Sequence, residues 1–468
     1  MHHYMKKRLS ILVLLLMVIA TSGFGCKTVS KDVQQKMQPI TINYWRVWDG
    51  PDDFDEIIRN YNALHSFITI NYRKLSYNEY EQALLDALAE DRGPDIFSIQ
   101  NTWVKKYQSK ISPMPESISM VYPVVQGTLK KEIVPELRTS KSITVADVKN
   151  SFVDTVYNDV VINDTSDNNK AKIYGLPLSI DTLAMYYNKD LLNNAGIAQL
   201  PTYWNKEFQQ DVKKLTKQDL KGDLIQSGVG LGGSNNIERS SDIMAALMMQ
   251  NGAVMMDGNS VTFNMIPPIF QERGYNPGME AARFYSDFAN PSKEVYSWNS
   301  QLDNSLKRFT DGKLGIFFGY SYHLPVIQAQ APKLNFGIAK FPQIEGNANE
   351  ANVANYWVET VSNKSKYKNE AWDFIQFMTT KQDQVKTYLA KTKHPTALRA
   401  LISDQLNSDD LKVFASQLLI AKSWYHGKDF ISADKAINEM IEAIIANPEQ
   451  LEEAVNVAAG RVQQTVGQ

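Results

Sequence analysis

Two pairs of aromatic and polar side chains follow predicted strands near the start of the chain. Trp48 stands beside Asp49 after one strand, and Asn101 stands two positions before Trp103 after another. An aromatic ring can stack on a flat apolar face, while a carboxylate or amide oxygen accepts hydrogen bonds from hydroxyl groups. The two pairs therefore favour the binding of a small polar solute that also has flat apolar faces.

Other kinds of site find little support in the sequence. None of the six histidines pairs with another at the i, i+4 spacing of a helical zinc site. The glycines between 228 and 233 lack the following helix that would hold a phosphate, so no dinucleotide or other cofactor is expected. The net charge is −2, and −5 without the three basic residues of the first 25. A mildly acidic chain with no long basic run argues against nucleic acid as a partner.

The residues around the two pairs predict alternating strands and helices. Strands are expected at 40–47, 68–75 and 95–99, with amphipathic helices between them. This β-α-β-α-β order predicts a mostly parallel, doubly wound sheet with right-handed crossovers. Ligands of such sheets gather beyond the carboxyl ends of the strands, which is where Trp48 and Asn101 stand.

The segment 174–196 organises the middle of the chain. Gly175 and Pro177 interrupt the backbone, and the following residues are rich in β-branched and aromatic side chains up to a short helix that stops at Gly196. Asp181 lies inside this otherwise apolar run. The sequence leaves two interpretations open: a strand that crosses between two lobes, or one more buried strand whose acid is a cap or a turn residue.

The first residues have the pattern of an export signal. Three basic residues precede an apolar run at 9–20, which is too short to span a bilayer but typical of a signal peptide. Gly25 and Cys26 follow, and the arrangement resembles a bacterial lipoprotein signal. Residues 1–25 are therefore expected to be removed and Cys26 to carry the lipid that anchors the protein to the outer face of the cytoplasmic membrane. The alternative is ordinary secretion with Cys26 as a free thiol.

The residues after Cys26 are polar and show no clear apolar period. We predict that residues 26–39 form a flexible tether between the membrane and the folded body.

Five motifs spread along the chain resemble those of one family. They are YNEYEQALLDALAEDRGPDIF (77–97), YGLPLSIDTLAMYYNKDLLNNAGI (174–197), DIMAALMMQNGAVMMD (242–257), FTDGKLGIFFGYS (309–321) and AWDFIQFMTT (371–380). Their order, together with the signal, resembles the bacterial extracellular solute-binding proteins of carbohydrate-type ABC importers, the group that includes the maltose binders. The resemblance implies an α/β, two-lobed periplasmic-binding-protein-like fold with a ligand cleft and hinge crossings.

The resemblance also implies where the chain passes between the lobes. Crossings are expected near Asp181, near 356–360 and near 396–402. The first lobe would then comprise 40–180 and 361–398, and the second lobe 181–360 and 399–468.

Further site residues follow from the resemblance. Asp181 is expected to accept a hydroxyl at the hinge, and Trp424 is the best single stacking candidate. The full set of predicted ligand-binding residues is Trp48, Asp49, Asn101, Asp181, Ser234, Asn235, Asn236, Trp298, Tyr320, Tyr322, Trp357, Trp424 and Tyr425.

The expected function is capture of a small polar solute, above all a sugar or oligosaccharide, by hinge closure, and its delivery to a membrane permease. The protein is expected to act as a monomer and not as an enzyme. One alternative is an exported glycoside hydrolase, for which Asp49 and Asp181 would have to stand about 5–10 Å apart. Another is a sensor or adhesin lipoprotein on the same fold.

Overall fold

The computed structural model describes residues 30–127, 131–347 and 349–467; Cys26 and the predicted signal peptide lie outside the described residues. The strands are β1 (Ile40–Arg46), β2 (Ile68–Lys74), β3 (Ile96–Gln100), β4 (Ile111–Ser112), β5 (Ser117–Gln126), β6 (Glu132–Lys141), β7 (Val161–Asp164), β8 (Lys170–Ile173), β9 (Leu176–Pro177), β10 (Asp181–Thr182), β11 (Ala184–Asn188), β12 (Lys217–Gln218), β13 (Leu224–Val229), β14 (Met256–Asp257), β15 (Ser260–Val261), β16 (Leu314–Gly319), β17 (Phe336–Lys340), β18 (Asn352–Asn355), β19 (Trp357–Ser362) and β20 (Ala421–Lys422). The α-helices are α1 (Lys31–Lys36), α2 (Pro51–Leu64), α3 (Tyr77–Ala89), α4 (Val104–Tyr107), α5 (Val145–Ser151), α6 (Asp154–Val160), α7 (Lys189–Asn194), α8 (Lys206–Leu215), α9 (Ser240–Gln250), α10 (Pro277–Asp287), α11 (Ser305–Thr310), α12 (His323–Gln330), α13 (Lys368–Thr380), α14 (Gln382–Thr392), α15 (Ile402–Gln405), α16 (Lys412–Ala415), α17 (Phe430–Ala446) and α18 (Leu451–Val466).

The first lobe is built on a sheet with the order β2-β1-β3-β19-β4, with β9 also paired to β19. β1 runs parallel to β2 and β3, while β19 runs antiparallel to β3. The crossover helix α2 buries Phe54, Ile57 and Tyr61, which fall on one face at helical spacing. The predicted β-α-β-α-β order is confirmed, and the later strand β19 makes the sheet mixed.

The second lobe is built on a sheet with the order β12-β13-β16-β11-β17. β11 lies between β16 and β17 and runs antiparallel to both, whereas β13 and β16 are parallel. Every residue of α9 is buried, and this helix packs against α10, α17 and β18. A helix that is covered on all sides holds its first residues in fixed positions.

A small sheet with the order β10-β18-β20 connects the two lobes. Asp181 pairs with Asn355 in the antiparallel register of β10 and β18. An isolated bridge joins Ser179 to Thr396 beside it. The chain therefore passes between the two large sheets at neighbouring places, close to the crossings that the resemblance implies, while the exact lobe boundaries stay a prediction.

The segment 174–196 is the first of these crossings, because it contains β9 of the first sheet, β10 of the small sheet and β11 of the second. Gly175 is required at its start: a Cβ there would lie 2.3 Å from Cγ1 of Val358 and 2.9 Å from the carbonyl oxygen of Glu359. Only glycine lets β9 approach β19 so closely. The helix α7 ends before Gly196, whose φ of 70° lies in the left-handed region.

Part of the predicted tether is folded. The Ser30 hydroxyl accepts a hydrogen bond from the N–H of Val33 and so caps α1, and Val33 is buried. Lys36 Nζ donates to the carbonyl oxygen of Ser119 at 3.4 Å, and α1 packs against the β5–β6 hairpin. The tether prediction is therefore wrong for α1. A single apolar side chain creates no hydrophobic period in the sequence, yet burial of Val33 is enough to hold this short helix against the hairpin.

The stretch 104–172, which the sequence pattern left largely unassigned, contains the antiparallel hairpins β5–β6 and β7–β8 in addition to short helices. Within the described ranges, no helix combines the length and the apolar character that crossing a bilayer requires.

Candidate functional site

An aromatic cluster lies at the edge of the first sheet where β1 and β3 end and β19 begins. Trp48 and Tyr77 stack face to face, with ring centroids 5.2 Å apart and 19° between the ring planes. Trp48 is 54% exposed and Tyr77 is 47% exposed, so each ring keeps an open surface. Trp357 packs edge-on against Tyr77 at 6.4 Å, and the nearly buried Trp103 packs edge-on against Trp357 at 5.7 Å. We call Trp48, Tyr77 and Trp357 the first wall.

Asp49 belongs to a buried ionic network instead of facing a ligand. Its Oδ2 lies 2.8 Å from Nη2 of Arg46 and accepts a hydrogen bond from the Tyr388 hydroxyl at 2.9 Å. Its Oδ1 lies 3.5 Å from Nε2 of His394. Burial alone would raise the pKa of Asp49, but the Arg46 guanidinium and His394 hold this pKa below its ordinary value. The carboxylate therefore stabilises the turn that presents Trp48.

Asn101 takes part in a second buried hydrogen-bond network. Its Nδ2 donates to Oγ of Ser423 at 2.9 Å and to Oδ2 of Asp159 at 3.4 Å. The same Asp159 oxygen accepts hydrogen bonds from the hydroxyls of Tyr356 and Ser423, at 2.5 and 2.6 Å. Since Asp159 lies on α6 and Ser423 follows β20, Asn101 helps to join the first lobe to the small connecting sheet. Its side chain is buried, so the prediction that it contacts ligand gains no support from this arrangement.

The second lobe contributes a tyrosine stack. Tyr322 is 39% exposed, and its ring stacks on that of Tyr320 with centroids 5.7 Å apart and 22° between the planes. Tyr320 is fully buried and donates its hydroxyl to Oδ2 of Asp242 at 2.7 Å. Of the two predicted stacking tyrosines, Tyr322 therefore offers a surface to solvent, and Tyr320 supports it from behind.

Arg239 and Asp242 form an ion pair beside this stack. Arg239 Nε donates to Oδ2 of Asp242 at 2.7 Å, and Nη2 makes a second bond to the same oxygen. The guanidinium also lies 5.6 Å from the ring centroid of Tyr320. Arg239 directly precedes α9 and has a φ of 57°, a left-handed conformation that a non-glycine residue keeps only where its surroundings enforce it. Such positions cluster at functional sites.

The positive charge of Arg239, in the second lobe, acts on Tyr77 in the first lobe. Burial raises the pKa of Tyr77, and the positive charge of Arg239 partly opposes this rise. Tyr77 lies on α3 of the first lobe and Arg239 lies before α9 of the second, so this electrostatic effect acts between the lobes. We call Tyr322, Arg239 and the exposed Asn235 the second wall, and the gap between the two walls is the candidate ligand cleft.

Trp424 and Tyr425, predicted to stack on ligand, are buried instead. Trp424 is only 3% exposed; its Nε1 donates to Oδ1 of Asp242 at 3.3 Å, and its ring packs against Phe430. The fully buried Tyr425 donates its hydroxyl to the carbonyl oxygen of Thr465 at 2.9 Å. These two aromatic residues join α9 to the C-terminal helices, because α17 and α18 cover the segment that follows β20.

The loop before α9 also differs from its prediction. Trp298 is fully buried, and its Nε1 donates to Oδ1 of Asn236 at 2.9 Å. The backbone N–H and hydroxyl of Ser234 both donate to Oε1 of Glu442 on α17, at 3.0 and 2.6 Å. Ser234, Asn236 and Trp298 therefore fix the loop, while Asn235 is exposed.

Asp181 accepts its hydrogen bonds from within the protein. Oδ2 accepts from the backbone N–H and the hydroxyl of Ser321, at 2.8 and 2.7 Å, and Oδ1 accepts from the N–H of Thr182 at 2.9 Å. Burial raises the pKa of Asp181 to about 6, although the bonds from Ser321 oppose the rise. The carboxylate thus ties the hinge strand β10 to the loop that carries Tyr322, and it is not a free hydroxyl acceptor.

The walls combine four predicted residues, Trp48, Trp357, Tyr322 and Asn235, with two that the sequence reasoning missed, Tyr77 and Arg239. A signal for Tyr77 was available, since this aromatic residue opens the helix that follows the second strand and so stands at the same edge of the sheet as Trp48. No signal marked Arg239, because a left-handed φ at a non-glycine residue has no sequence pattern.

Comparisons with known proteins bear on the fold and the family. A family model described as bacterial extracellular solute-binding protein matches residues 48–385, well over half of the chain. A binding protein of Brucella abortus is 23% identical over 348 residues, which are 74% of this chain and 73% of that protein. The galactooligosaccharide-binding protein of Bacillus subtilis is 21% identical over 291 residues, 62% of each chain.

Among solved structures, the maltose-binding periplasmic protein of Listeria monocytogenes in complex with maltose superposes with a TM-score of 0.67. The sequences are 16% identical, and the match covers 92% of this chain and 99% of the other. The predicted two-lobed fold is therefore confirmed.

Proposed function

The chain belongs to the bacterial extracellular solute-binding proteins, and we propose that it captures a carbohydrate in the cleft between its two lobes. The observation that carries this proposal is the presence of open aromatic faces on both walls: the Trp48–Tyr77 stack on one and Tyr322 on the other. Sugar rings have flat apolar faces that such rings cover well. A ligand held by both walls would favour closure of the lobes, because only the closed state satisfies both sets of contacts.

The charges of the second wall favour a neutral sugar. Arg239 offers hydrogen-bond donors to hydroxyl groups, but its charge is already balanced by Asp242. An anionic ligand would therefore gain little net attraction from the guanidinium, because the Asp242 carboxylate lies in the same ion pair. The relatives named for galactooligosaccharides and maltose support the same class of ligand.

Delivery to an ABC permease follows from the family. We propose that the chain acts as a monomer, with a first lobe of 40–180 and 361–398 and a second lobe of 181–360 and 399–468. The three neighbouring crossings would serve as the hinge.

A hydrolase is the less favoured function. The two carboxylates that such an enzyme would use, Asp49 and Asp181, are both buried and both accept hydrogen bonds from protein groups. A glycoside hydrolase needs a carboxyl group that can reach the glycosidic oxygen. We therefore propose binding without catalysis, and we expect no reducing ends to be released from oligosaccharides incubated with the protein.

We also propose that Cys26 is lipidated and holds the protein at the outer face of the cytoplasmic membrane. Only residues 27–29 separate it from Ser30, which caps α1, so the body would stand within roughly 15 Å of the anchor. Cys26→Ser should release the protein into the medium of cells that express it, whereas retention in the membrane fraction would contradict the anchor.

A thermal-shift screen tests the binding proposal directly. Maltose, maltotetraose, galactooligosaccharides, mannobiose, polyols and short peptides are added to the purified body at a fixed concentration. A ligand at a hundred times its Kd stabilises the folded state by about 2.7 kcal/mol, which raises the melting temperature measurably. We expect shifts from one or more sugars. Shifts from peptides alone, or from no member of the panel, would contradict carbohydrate binding.

A further inference from the structure

The buried carboxylate of Asp181 links the hinge strand β10 to the loop that carries Tyr322. We propose that Asp181 is a positioning residue that fixes the second wall through Ser321, and that this bond makes the order of the wall, and with it the affinity for ligand, depend on pH. The positioning holds whatever the ligand is; only the consequence for affinity rests on the proposed function.

The first argument is the place of Asp181 in the hinge. It pairs with Asn355 on the second crossing. Its neighbour Ile180 donates its N–H to the carbonyl oxygen of Pro395 at 3.0 Å, on the third crossing. Backbone pairings of Ile180 and Asp181 therefore connect the first crossing to the other two.

The second argument is the geometry at Ser321. This residue stands between Tyr320, the buried half of the tyrosine stack, and Tyr322, its exposed half. Both of its donors, the backbone N–H and the hydroxyl, point to the same Oδ2 of Asp181. Two bonds to a single ionised oxygen fix the direction of the loop more firmly than bonds between neutral groups would.

The third argument concerns what can titrate around the carboxylate. The groups that face Asp181 are His394 after α14, Tyr186 on β11 and Tyr322 at the start of α12. Burial raises the pKa of both tyrosines above their ordinary value, so they stay neutral at physiological pH. His323, which accepts the N–H of Tyr320, has its pKa lowered by burial to about 3 and stays a neutral acceptor.

Asp181, on β10, is therefore a carboxylate bound to this loop whose charge changes in the physiological range. Burial raises its pKa to about 6, so it is ionised at pH 7.5 and mostly protonated at pH 5. A protonated carboxyl accepts hydrogen bonds more weakly and brings an O–H that needs an acceptor of its own. At pH 5 the hold on Ser321 weakens, and Tyr322 loses its fixed position.

Hydrogen exchange on the full chain without ligand tests this directly. After correction for the intrinsic pH dependence of exchange, we expect the peptide containing the Ser321 amide to be protected roughly tenfold more at pH 7.5 than at pH 5. We call this difference in protection between the two pH values the pH step. In Asp181→Asn the pH step should disappear. Ser321→Ala removes one of the two donors, so it should lower the protection at pH 7.5 but keep the step. Asp159→Asn, which removes another buried hinge carboxylate, is the matched control and should leave the step unchanged.

Two outcomes would overturn the proposal. One is equal protection of this peptide at both pH values in the unaltered protein; the other is a step that persists in Asp181→Asn. Should Asp181→Asn fail to fold, Ser321→Ala decides, because protection equal to that of the unaltered protein would show that Ser321 does not depend on the carboxylate. Failure of the sugar screen at pH 7.5 would instead contradict the proposed function and leave these exchange results intact.

Discussion

Trp48 provides the sharpest test of the first wall. Its ring is held on one side by Tyr77, and 54% of its surface is exposed. In the proposed complex this open surface covers a face of a sugar ring. Replacing Trp48 by alanine should therefore weaken binding and leave the fold largely intact, because the residue lies on a turn at the rim of the lobe.

The size of the loss can be worked out from the exposed area. A tryptophan side chain has roughly 250 Å² of surface, so 54% exposure leaves about 135 Å² open. If a sugar ring covers half of it, about 70 Å² is removed from water on binding. At about 25 cal/mol per Å² this amounts to about 1.7 kcal/mol, or a roughly twentyfold increase in Kd.

Isothermal titration calorimetry measures this change with the sugar that gives the largest thermal shift. Trp48→Phe keeps an aromatic face and should lose much less affinity. Tyr203→Ala, which removes an exposed aromatic side chain outside both walls, should change the Kd less than twofold. A Trp48→Ala protein with unchanged affinity would refute the assignment of the first wall, and a large fall in melting temperature would show that the residue is structural.

Three further predictions concern stability. Trp424→Ala should destabilise the protein by about 3–5 kcal/mol, since it opens a cavity beside Phe430 and removes a donor from Asp242; an unchanged melting temperature would contradict the burial of this ring. Gly175→Ala should lower the free energy of unfolding, measured by chemical denaturation, by about 1–3 kcal/mol, because the added Cβ meets Val358 and the Glu359 backbone. Gly460→Ala in α18 has open space around it and should be neutral or stabilising in the same experiment. Because the pKa of Asp181 is about 6 in the folded protein and 3.8 ordinarily, proton binding at Asp181 stabilises the folded state fully below pH 3.8, and this stabilisation is lost as the pH rises through about 6. Asp181→Asn should therefore flatten the dependence of the unfolding free energy on pH between those values, and an unchanged slope would refute this linkage.

The parts of the fold that could be predicted from sequence are those set by neighbouring residues. The helix α2 has its apolar side chains at helical spacing, and Ile68 and Ile70 alternate with exposed residues along β2. Such periodic patterns need only a few neighbouring residues, and they predict both the type of element and the face that it buries. Val33 marks the limit of this reasoning, because one apolar residue makes no period and yet seats α1 on a hairpin that begins more than eighty positions later.

The exposure of an aromatic residue depends on distant parts of the chain. Trp48 was predicted to stack on ligand from its place after a strand, and Trp424 from the family resemblance; both stand beside polar residues near the end of a strand. Trp48 stays open because the chain turns away into α2, whereas α17 begins soon after Trp424 and lays Phe430 on its ring. The local patterns are alike, and the difference comes from which helix follows and where it packs.

The partners of the polar site residues could not be predicted from sequence, for a related physical reason. A carboxylate at the end of a strand can accept hydrogen bonds from a ligand or from the protein, and its own sequence neighbourhood is the same in both cases. The hydroxyl that donates to Asp49 belongs to Tyr388, which lies 339 positions away in the sequence. The hydroxyl that donates to Asp181 belongs to Ser321, which lies 140 positions away. Because a buried carboxylate without donors is costly, the fold supplies both carboxylates with protein donors. Each carboxylate therefore holds the chain beside an exposed aromatic residue: Asp49 is next to Trp48, and Asp181 binds the loop that carries Tyr322.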